Sequence, residues 1–420
     1  GVGWDNSKLR PKTLRVKNAA RTTSGMVGFA KRFSNTIREV GQHGRRGASL
    51  QSLSCYHPEI LDFITVKQDL TQMTGSNISI QFTDDFMNKV VNNEDVTLRW
   101  PVCQEDADEM GKQYPEIENK VKAKTIWDEF IKSAHKMAEP GCMFVDTVHR
   151  ESPGYPYGQK EVSSNPCGEQ WLPPYASCRL LLLNILSYVV NPFTDKAYFD
   201  YNKLSQDAMI LQRLGDNLVD IEVECIDRIL QKIKSDPEPN NIKQPAIELW
   251  ENIRRVALLD RRTGCGLTAL GDTIAALGMK YGSDKSIEFA DKMQKTFALA
   301  CYRSSVEMAK EIGPFPDYDS EKDIKSQFIQ RIEKEDPVLY ADMKKYGRRN
   351  MVLLTIAPTG SVSCETQTTS GLEPVFLLSY TRRKKGNPGD AGFRTDFVDA
   401  NNDCWMHFDV YHKGLQDWMN

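Results

Sequence analysis

Short apolar runs alternate with segments of helical period along this chain, and that alternation limits the folds open to it more than any other feature. Ile78-Ser79-Ile80-Gln81-Phe82 predicts a strand, and Thr83-Asp84-Asp85 then supplies N-cap residues for a helix over 86–91. Ile117, Val121, Phe130, Ala134 and Met137 keep one apolar face of a predicted helix that stops before Pro140-Gly141, and the short apolar run Cys142-Met143-Phe144-Val145 follows. Residues 180–190 read as a buried strand or helix. A long helical periodicity over 204–233 ends in Asp236-Pro237-Glu238-Pro239-Asn240-Asn241, so 235–245 is expected to be a loop or small insertion, with helix resuming at Ala246. Further helices are predicted over 268–277 and 283–312, stopping at Gly313-Pro314. The run 351–357 reads as a buried strand before Pro358-Thr359-Gly360-Ser361. Strands alternating with helices predict a mostly parallel α/β architecture, barrel or open sheet, with ligand-binding loops after the strands.

Composition removes several function classes. A formal charge of −3 over 420 residues offers no strongly basic face for nucleic acid. The basic run Arg382-Arg383-Lys384-Lys385 is expected to be a solvated loop. The most apolar stretch, 180–190, is interrupted by Asn184 and Ser187 and falls short of the roughly 20 residues a membrane span needs. Gly1-Val2-Gly3-Trp4-Asp5 has neither the charged nor the apolar region of an export signal. Ten dispersed cysteines without such a signal predict reduced thiols and a cytoplasmic location. Six histidines, none at zinc spacing from a cysteine, predict no protein metal site.

Three constellations carry chemistry. In Asn165-Pro166-Cys167-Gly168-Glu169 an amide, a thiol and a carboxylate fall on alternate positions, so an extended or looped backbone aims all three the same way. Pro166 fixes its own φ and Gly168 permits a close backbone approach, which suits a constrained loop. A cysteine hydrolase would need a positioned histidine, and none is near in sequence. Glu169 is better suited to taking a proton from a substrate hydroxyl. Cys178, eleven residues after Cys167, points to chemistry that consumes reducing equivalents. Pro358-Thr359-Gly360-Ser361 offers small residues, free N–H groups and hydroxyls for phosphate oxygens; a plain strand-to-helix turn reads equally well. Gly41-Gln42-His43-Gly44-Arg45-Arg46-Gly47-Ala48 places two arginines among three glycines, as a phosphate- or base-contacting loop or a surface turn would. Ser24-Gly25 closes another small polar loop. His57, His135, His149, Asp146 and Asp260 receive no catalytic role.

Taken in order, these segments resemble the large catalytic subunit of ribonucleotide reductases. Gly1-Val2-Gly3, Leu9-Arg10-Pro11, Gly44-Arg45-Arg46-Gly47-Ala48, His57-Pro58-Glu59-Ile60, Asn165-Pro166-Cys167-Gly168-Glu169 and Cys178 occur in the family's sequence. Arg262-Thr263-Gly264-Cys265-Gly266-Leu267, Pro358-Thr359-Gly360-Ser361 and Gly371-Leu372-Glu373-Pro374 continue it. The resemblance implies a ten-stranded α/β barrel formed by a single catalytic domain over 1–420, incomplete in this chain, with a finger loop carrying Cys167 into its centre. It implies that Cys167 becomes a thiyl radical, that Glu169 is the general base and that Asn165 hydrogen-bonds the substrate. Cys178 matches one of two reducing thiols, and Pro358, Thr359, Gly360 and Ser361 the phosphate cradle. Loops 17–24 and 41–48, with Ser24, Gly25, Gln42, Arg45 and Arg46, match those that sense an effector nucleotide.

The thiol needs a cofactor to generate its radical. Proline and glycine in the finger loop resemble the adenosylcobalamin-dependent class; the alternative is a metal-dependent reductase whose di-metal cofactor sits in a separate radical-generating subunit. Re-reduction of a thiol pair implies a thioredoxin-like partner, and the family implies a homodimer. The chain opens at the Gly-x-Gly segment, and no Cys-x-x-Cys follows Cys404. These departures predict a fragment that lacks the other redox cysteine. They also leave open a non-catalytic nucleotide-binding piece that works only with complementary polypeptides.

Overall fold

The computed structural model describes the chain except Thr13, Asn18, Ala19, His43, Gly44, Cys178, Asn387, residues 400–403 and Asn420, and it describes the backbone alone at Gly41, Gln42, Arg45 and Arg46. Helices and strands are mixed, and the chain divides into two compact units. The first comprises Gly1–Cys178, Leu218–Arg262 and Met308–Val352; the second comprises Arg179–Asn217, Thr263–Glu307 and Leu353–Asn420. No helix among the described residues is long and apolar enough to cross a membrane.

The first unit is built on a parallel sheet in the order Val2–Asp5, Ser49–Ser54, Asn77–Phe82, Gly141–Phe144. Its two faces follow from the two-residue repeat of a strand. Leu53, Ile78, Ile80 and Phe82 point one way, into a core completed by Met26, Phe63, Phe86, Ile126 and Phe130 from the covering helices. Phe82 stands with its ring 5.1 Å from those of Phe86 and Phe130. The register puts Gly3, Asp5, Ser52, Ser54, Asn77, Ser79, Gln81 and Gly141 on the opposite face. That face also holds Leu50 and Met143, but small and polar side chains predominate on it. It carries the loop described below.

In the second unit Leu180–Asn184 pairs in parallel with Gly264–Thr268. Residues 351–357 run beside Gly264–Thr268, with Cys265 N–H donating to Leu353 (2.9 Å) and Thr355 N–H to Cys265 (3.0 Å). The approach is close enough that a Cβ on Gly266 would lie 2.3 Å from the Thr355 carbonyl oxygen. Only one ladder bridge forms there, Cys265 to Leu354, so the predicted strand is an extended segment. The described sheets are this parallel pair, the four-stranded parallel sheet and smaller antiparallel ones.

Several sequence expectations change. Ile117 and Val121 belong to a strand, Ile117–Lys122, paired with Asp95–Trp100, and the helix starts only at Ala123. Alternate positions of a strand and the i, i+4 positions of a helix coincide at 117 and 121, which hid the change of period. Residues 180–190 are strand to Asn184, whose side chain accepts from Leu186 N–H to start the 3₁₀ turn Ile185–Tyr188, and strand again at Val189–Val190. The expected insertion at 235–245 is a four-residue turn, because helix Tyr201–Ser235 is followed at once by Asn240–Asp260, which accommodates Pro245 inside it. The basic run lies in the exposed strand Ser379–Gly386, paired with Cys404–Tyr411, and not in a loop. The strand and helix predicted around Phe82 are present, as Asn77–Phe82 and Asp84–Val91, with Thr83 accepting from Phe86 N–H.

The His57-Pro58-Glu59-Ile60 element is an anchor for helix Met26–Glu39. Glu59 accepts from Met26 N–H at 2.6 Å, and a Cβ on Gly25 (φ +87°) would meet that carboxylate at 2.5 Å. His57, fully buried, bridges Leu9 O (3.0 Å) and Glu59 N–H (3.1 Å), which assigns a neutral ring with its proton on Nε2. Burial pulls its pKa from 6.5 down to about 4. The folded state therefore binds this proton more weakly than the unfolded chain. Its stabilising contribution is complete above pH 6.5 and is lost as pH falls toward 4. The amount at stake is about 3 kcal/mol. Asp5, Glu59 and Glu161 are raised by burial and act in the opposite sense, so the wild-type profile alone does not isolate the histidine. We predict that His57→Gln lowers Tm at neutral pH and that its gap from wild type narrows steadily on acidification; a constant gap would contradict a neutral buried His57.

Candidate active site

Residues 163–172 form a hairpin: Ser163–Ser164 pairs with Trp171–Leu172 in antiparallel register, and 165–170 make the loop between them. Asn165-Pro166-Cys167-Gly168 is a tight turn closed by Gly168 N–H donating to Asn165 O at 3.0 Å. Asn at the first position, Pro at the second and Gly at the fourth are the residues such a turn favours, and Gly168 takes φ +89° where a Cβ would be strained. Cys167 occupies the third position and is exposed. Burial of the sulfur on one side and, secondarily, the Glu169 charge push its pKa up, so the thiol keeps its proton at neutral pH.

The Asn165 side chain works within the loop. Its Nδ2 donates to Glu169 Oε1 at 2.7 Å, while its Oδ1 accepts from Gln170 N–H (3.1 Å) and from the Ser164 hydroxyl (3.2 Å). The amide thus aims the carboxylate. Gln170, only 5 % exposed, has both side-chain polar atoms without a hydrogen-bond partner.

The hairpin rests on the polar face of the sheet. A Cβ on Gly3 would fall 1.9 Å from Ser164 O, and one on Gly1 2.6 Å from Pro166 Cγ. The Ser52 and Ser163 hydroxyls are 3.4 Å apart, and Asn77 Nδ2 donates to Pro166 O at 2.8 Å. Glycine at 3 is therefore the condition for backbone-to-backbone approach and glycine at 1 for seating the Pro166 ring, a reason that the motif alone did not reveal. Ser52 and Asn77 were not selected from sequence. The signal was present, since Asn77, Ser79 and Gln81 alternate with Ile78, Ile80 and Phe82, but polar alternation looks the same whether the face meets water or another loop.

The phosphate-loop candidates lie in the second unit. Pro358, Gly360 and Ser361 are exposed and Thr359 is 2 % exposed. Thr359 Oγ1 is engaged internally, at 2.7 Å from Thr268 Oγ1 and 3.2 Å from Ser370 Oγ, and accepts from Gly371 N–H at 3.1 Å. Helix Gly360–Thr366 begins directly after it, and a Cβ on Gly360 would meet nothing within 4 Å. The groups this turn can offer an anion are thus first-turn N–H groups and the Ser361 hydroxyl, with Thr359 bracing the backbone.

Of the effector-loop candidates, Ser24 is exposed and Gly25 buried against Glu59. Gln42 and Arg45 pair as backbone in a small antiparallel hairpin, as do Gly41 and Arg46. Cys178 lies outside the described residues. The nine described cysteines are free thiols.

Residues 1–404 match the ribonucleotide reductase barrel domain, so the chain belongs to the ribonucleotide reductase family. It is similar to the vitamin B12-dependent ribonucleoside-diphosphate reductase of Thermoplasma acidophilum, 32% identical over 384 residues, which are 91% of this chain and 42% of that protein. The protein of that name from Mycobacterium tuberculosis is 29% identical over 91% of this chain and 47% of its own length. The ribonucleoside-diphosphate reductase large chain of Neurospora crassa is 25% identical over 91% of this chain and 41% of its own. The chain thus spans less than half the length of these relatives.

Proposed function

We propose that this chain is the catalytic barrel part of an adenosylcobalamin-dependent ribonucleotide reductase. The observation that carries the reading is an exposed, proton-retaining thiol at the tip of a tight turn, beside a carboxylate held by an amide of the same loop. Hydrogen-atom transfer needs an S–H bond, whereas nucleophilic chemistry needs a thiolate, so a raised thiol pKa favours the radical role. An exposed sulfur also fits a radical source that arrives as a bound group. Two of the relatives named above are vitamin B12-dependent by name.

Bound adenosylcobalamin supplies a carbon-centred radical, and Cys167 is the residue on which that chemistry acts. Cys167 gives up its hydrogen atom and, as a thiyl, takes the 3′ hydrogen of the ribose. Glu169, aimed by Asn165, accepts the 3′-hydroxyl proton as the 2′-hydroxyl leaves as water. Two thiols, Cys178 and a second one, are oxidised to a disulfide and provide the two electrons and two protons. Cys167 then returns a hydrogen to C3′. The net change is ribonucleotide plus two thiols to deoxyribonucleotide, disulfide and water, and a thioredoxin-like dithiol restores the pair.

The amides of Gly360 and Ser361, braced by Pro358 and Thr359, hold the substrate phosphates. Loops 17–24 and 41–48, with Ser24, Gly25, Gln42, Arg45 and Arg46, meet an effector nucleotide. A cytoplasmic homodimer, with complementary polypeptides supplying further segments where these are separate, completes the reading.

The test is deoxyribonucleotide formation by the full protein, given ribonucleotide, dithiothreitol and adenosylcobalamin. Product that depends on the cobalamin is expected. Product that instead requires an iron- or manganese-bearing partner subunit would overturn the cofactor assignment. Folded protein that yields no product with either would overturn the reading as a whole.

A further inference from the structure

We propose that Asn77 is a positioning residue for Cys167: its side-chain amide holds the peptide plane from which the thiol projects. The proposal rests on the reading of Cys167 given above and adds a residue to that site.

The argument concerns torsions. Cys167 is flanked by Pro166, whose ring fixes φ, and by Gly168, whose N–H closes the turn on Asn165 O at 3.0 Å. The base of the loop is pinned by Asn165 N–H donating to Gln170 O at 3.1 Å and by the Gln170 N–H bond to the Asn165 side chain. The rotation of the planar Pro166–Cys167 peptide about its two flanking bonds, ψ of Pro166 and φ of Cys167, is left unsettled by those bonds. Asn77 Nδ2 donates to the carbonyl oxygen of that peptide at 2.8 Å. A rotation that broke this bond would change φ of Cys167 and so redirect its Cβ and sulfur.

Asn77 is well placed to resist such a rotation. It is the first residue of strand Asn77–Phe82, with its backbone in register with Leu50, so its Cα is held by the sheet. Pro166 is itself seated against Gly1, where an added Cβ would come within 2.6 Å of its Cγ. Asn77 itself is exposed, and its side chain contributes nothing to the apolar core. Its substitution should therefore leave the global Tm nearly unchanged. A purely structural hydrogen bond at this place would be dispensable, whereas a positioning bond would not.

The experiment compares wild type with Asn77→Ala and the near-isosteric Asn77→Asp, which loses the donor, in the full protein. Two readouts are used. Alkylation of each cysteine by iodoacetamide is followed by peptide mass spectrometry, with exposed Cys103 and buried Cys55 as internal references. Turnover is resolved into kcat and KM. In both variants Cys167 alkylation is expected to change by about threefold or more while Cys103 and Cys55 keep their wild-type rates, as local release of one loop requires. The kcat should fall about 10- to 100-fold with KM within about threefold, because a displaced thiol affects the reacting geometry more than substrate binding. Accelerated labelling of Cys55 would identify a misfolded variant, and the other variant then decides. Unchanged Cys167 labelling in a folded variant overturns the assignment of Asn77, whatever turnover does. Wild-type turnover by Cys167→Ala overturns the radical reading instead and leaves the labelling result intact, so the two failures are distinguishable.

Discussion

Cys167→Ala is expected to lower deoxyribonucleotide formation by more than about 10⁴-fold while leaving the fold and nucleotide binding in place, since groups that act as one catalytic unit fail together when any is removed. The exposed position of Cys167 makes the structural cost small, about 0.5 kcal/mol or less. Cys167→Ser is the sharper variant. It preserves size and polarity and exchanges the S–H bond for a stronger O–H bond, which a carbon radical does not readily break. If Cys167 only packed or only hydrogen-bonded, serine would serve nearly as well. Serine should instead match alanine in turnover, and an unaltered Tm in both would show that the loss is chemical. Turnover within tenfold of wild type, about 1.4 kcal/mol of transition-state stabilisation at most, would remove Cys167 from the reaction.

The second large effect is expected from a residue with no chemistry. Gly3→Ala places a methyl carbon 1.9 Å from the Ser164 carbonyl oxygen and 2.9 Å from its carbon. Neither partner can yield cheaply. Gly3 is inside a strand paired along its length with Ser49–Ser54, and Ser164 is inside a hairpin paired with Trp171. One of these two pairings must shift by an ångström or more. Overpacking of this kind costs about 1–3 kcal/mol, and a displacement of that size at a reacting group costs about 100-fold in rate. Gly3→Ala should therefore lower both Tm and kcat, and hydrogen exchange should show faster opening of the 163–172 hairpin with the helices Met26–Glu39 and Ala123–Met137 unaffected. Exchange unchanged at the hairpin would contradict the seating of the loop on this face. Gly168 makes a useful contrast: a Cβ there meets nothing within 4 Å, so its glycine serves the φ of +89° alone.

Much of the local structure was legible. The turn at 165–168 follows from Asn, Pro and Gly at its first, second and fourth positions, and the helix cap at Thr83 from its hydroxyl before two aspartates. The mistakes have a common cause. At 117–122 and 240–245 the residues satisfy two periods or carry a proline tolerated by the helix, and only pairing with Asp95–Trp100 in the first case, or unbroken helical geometry in the second, decides between them. At 351–357 apolar character announced burial, and burial does not require a full ladder.

The candidate site divides the same way. Residue types and their spacing determined that an amide, a thiol and a carboxylate share one constrained loop, and that a turn of small residues follows a buried segment near 358–361. Those are local properties, set by turn chemistry over a few residues. The tertiary structure alone decided that Asn165 is turned to Glu169, that Thr359 braces its loop from within, and that Gly1, Gly3, Ser52 and Asn77 form the seat of the hairpin. Such contacts join positions as many as 165 residues apart, as between Gly1 and Pro166. No local propensity encodes them, because they exist only once the sheet has chosen which of its faces meets the helices.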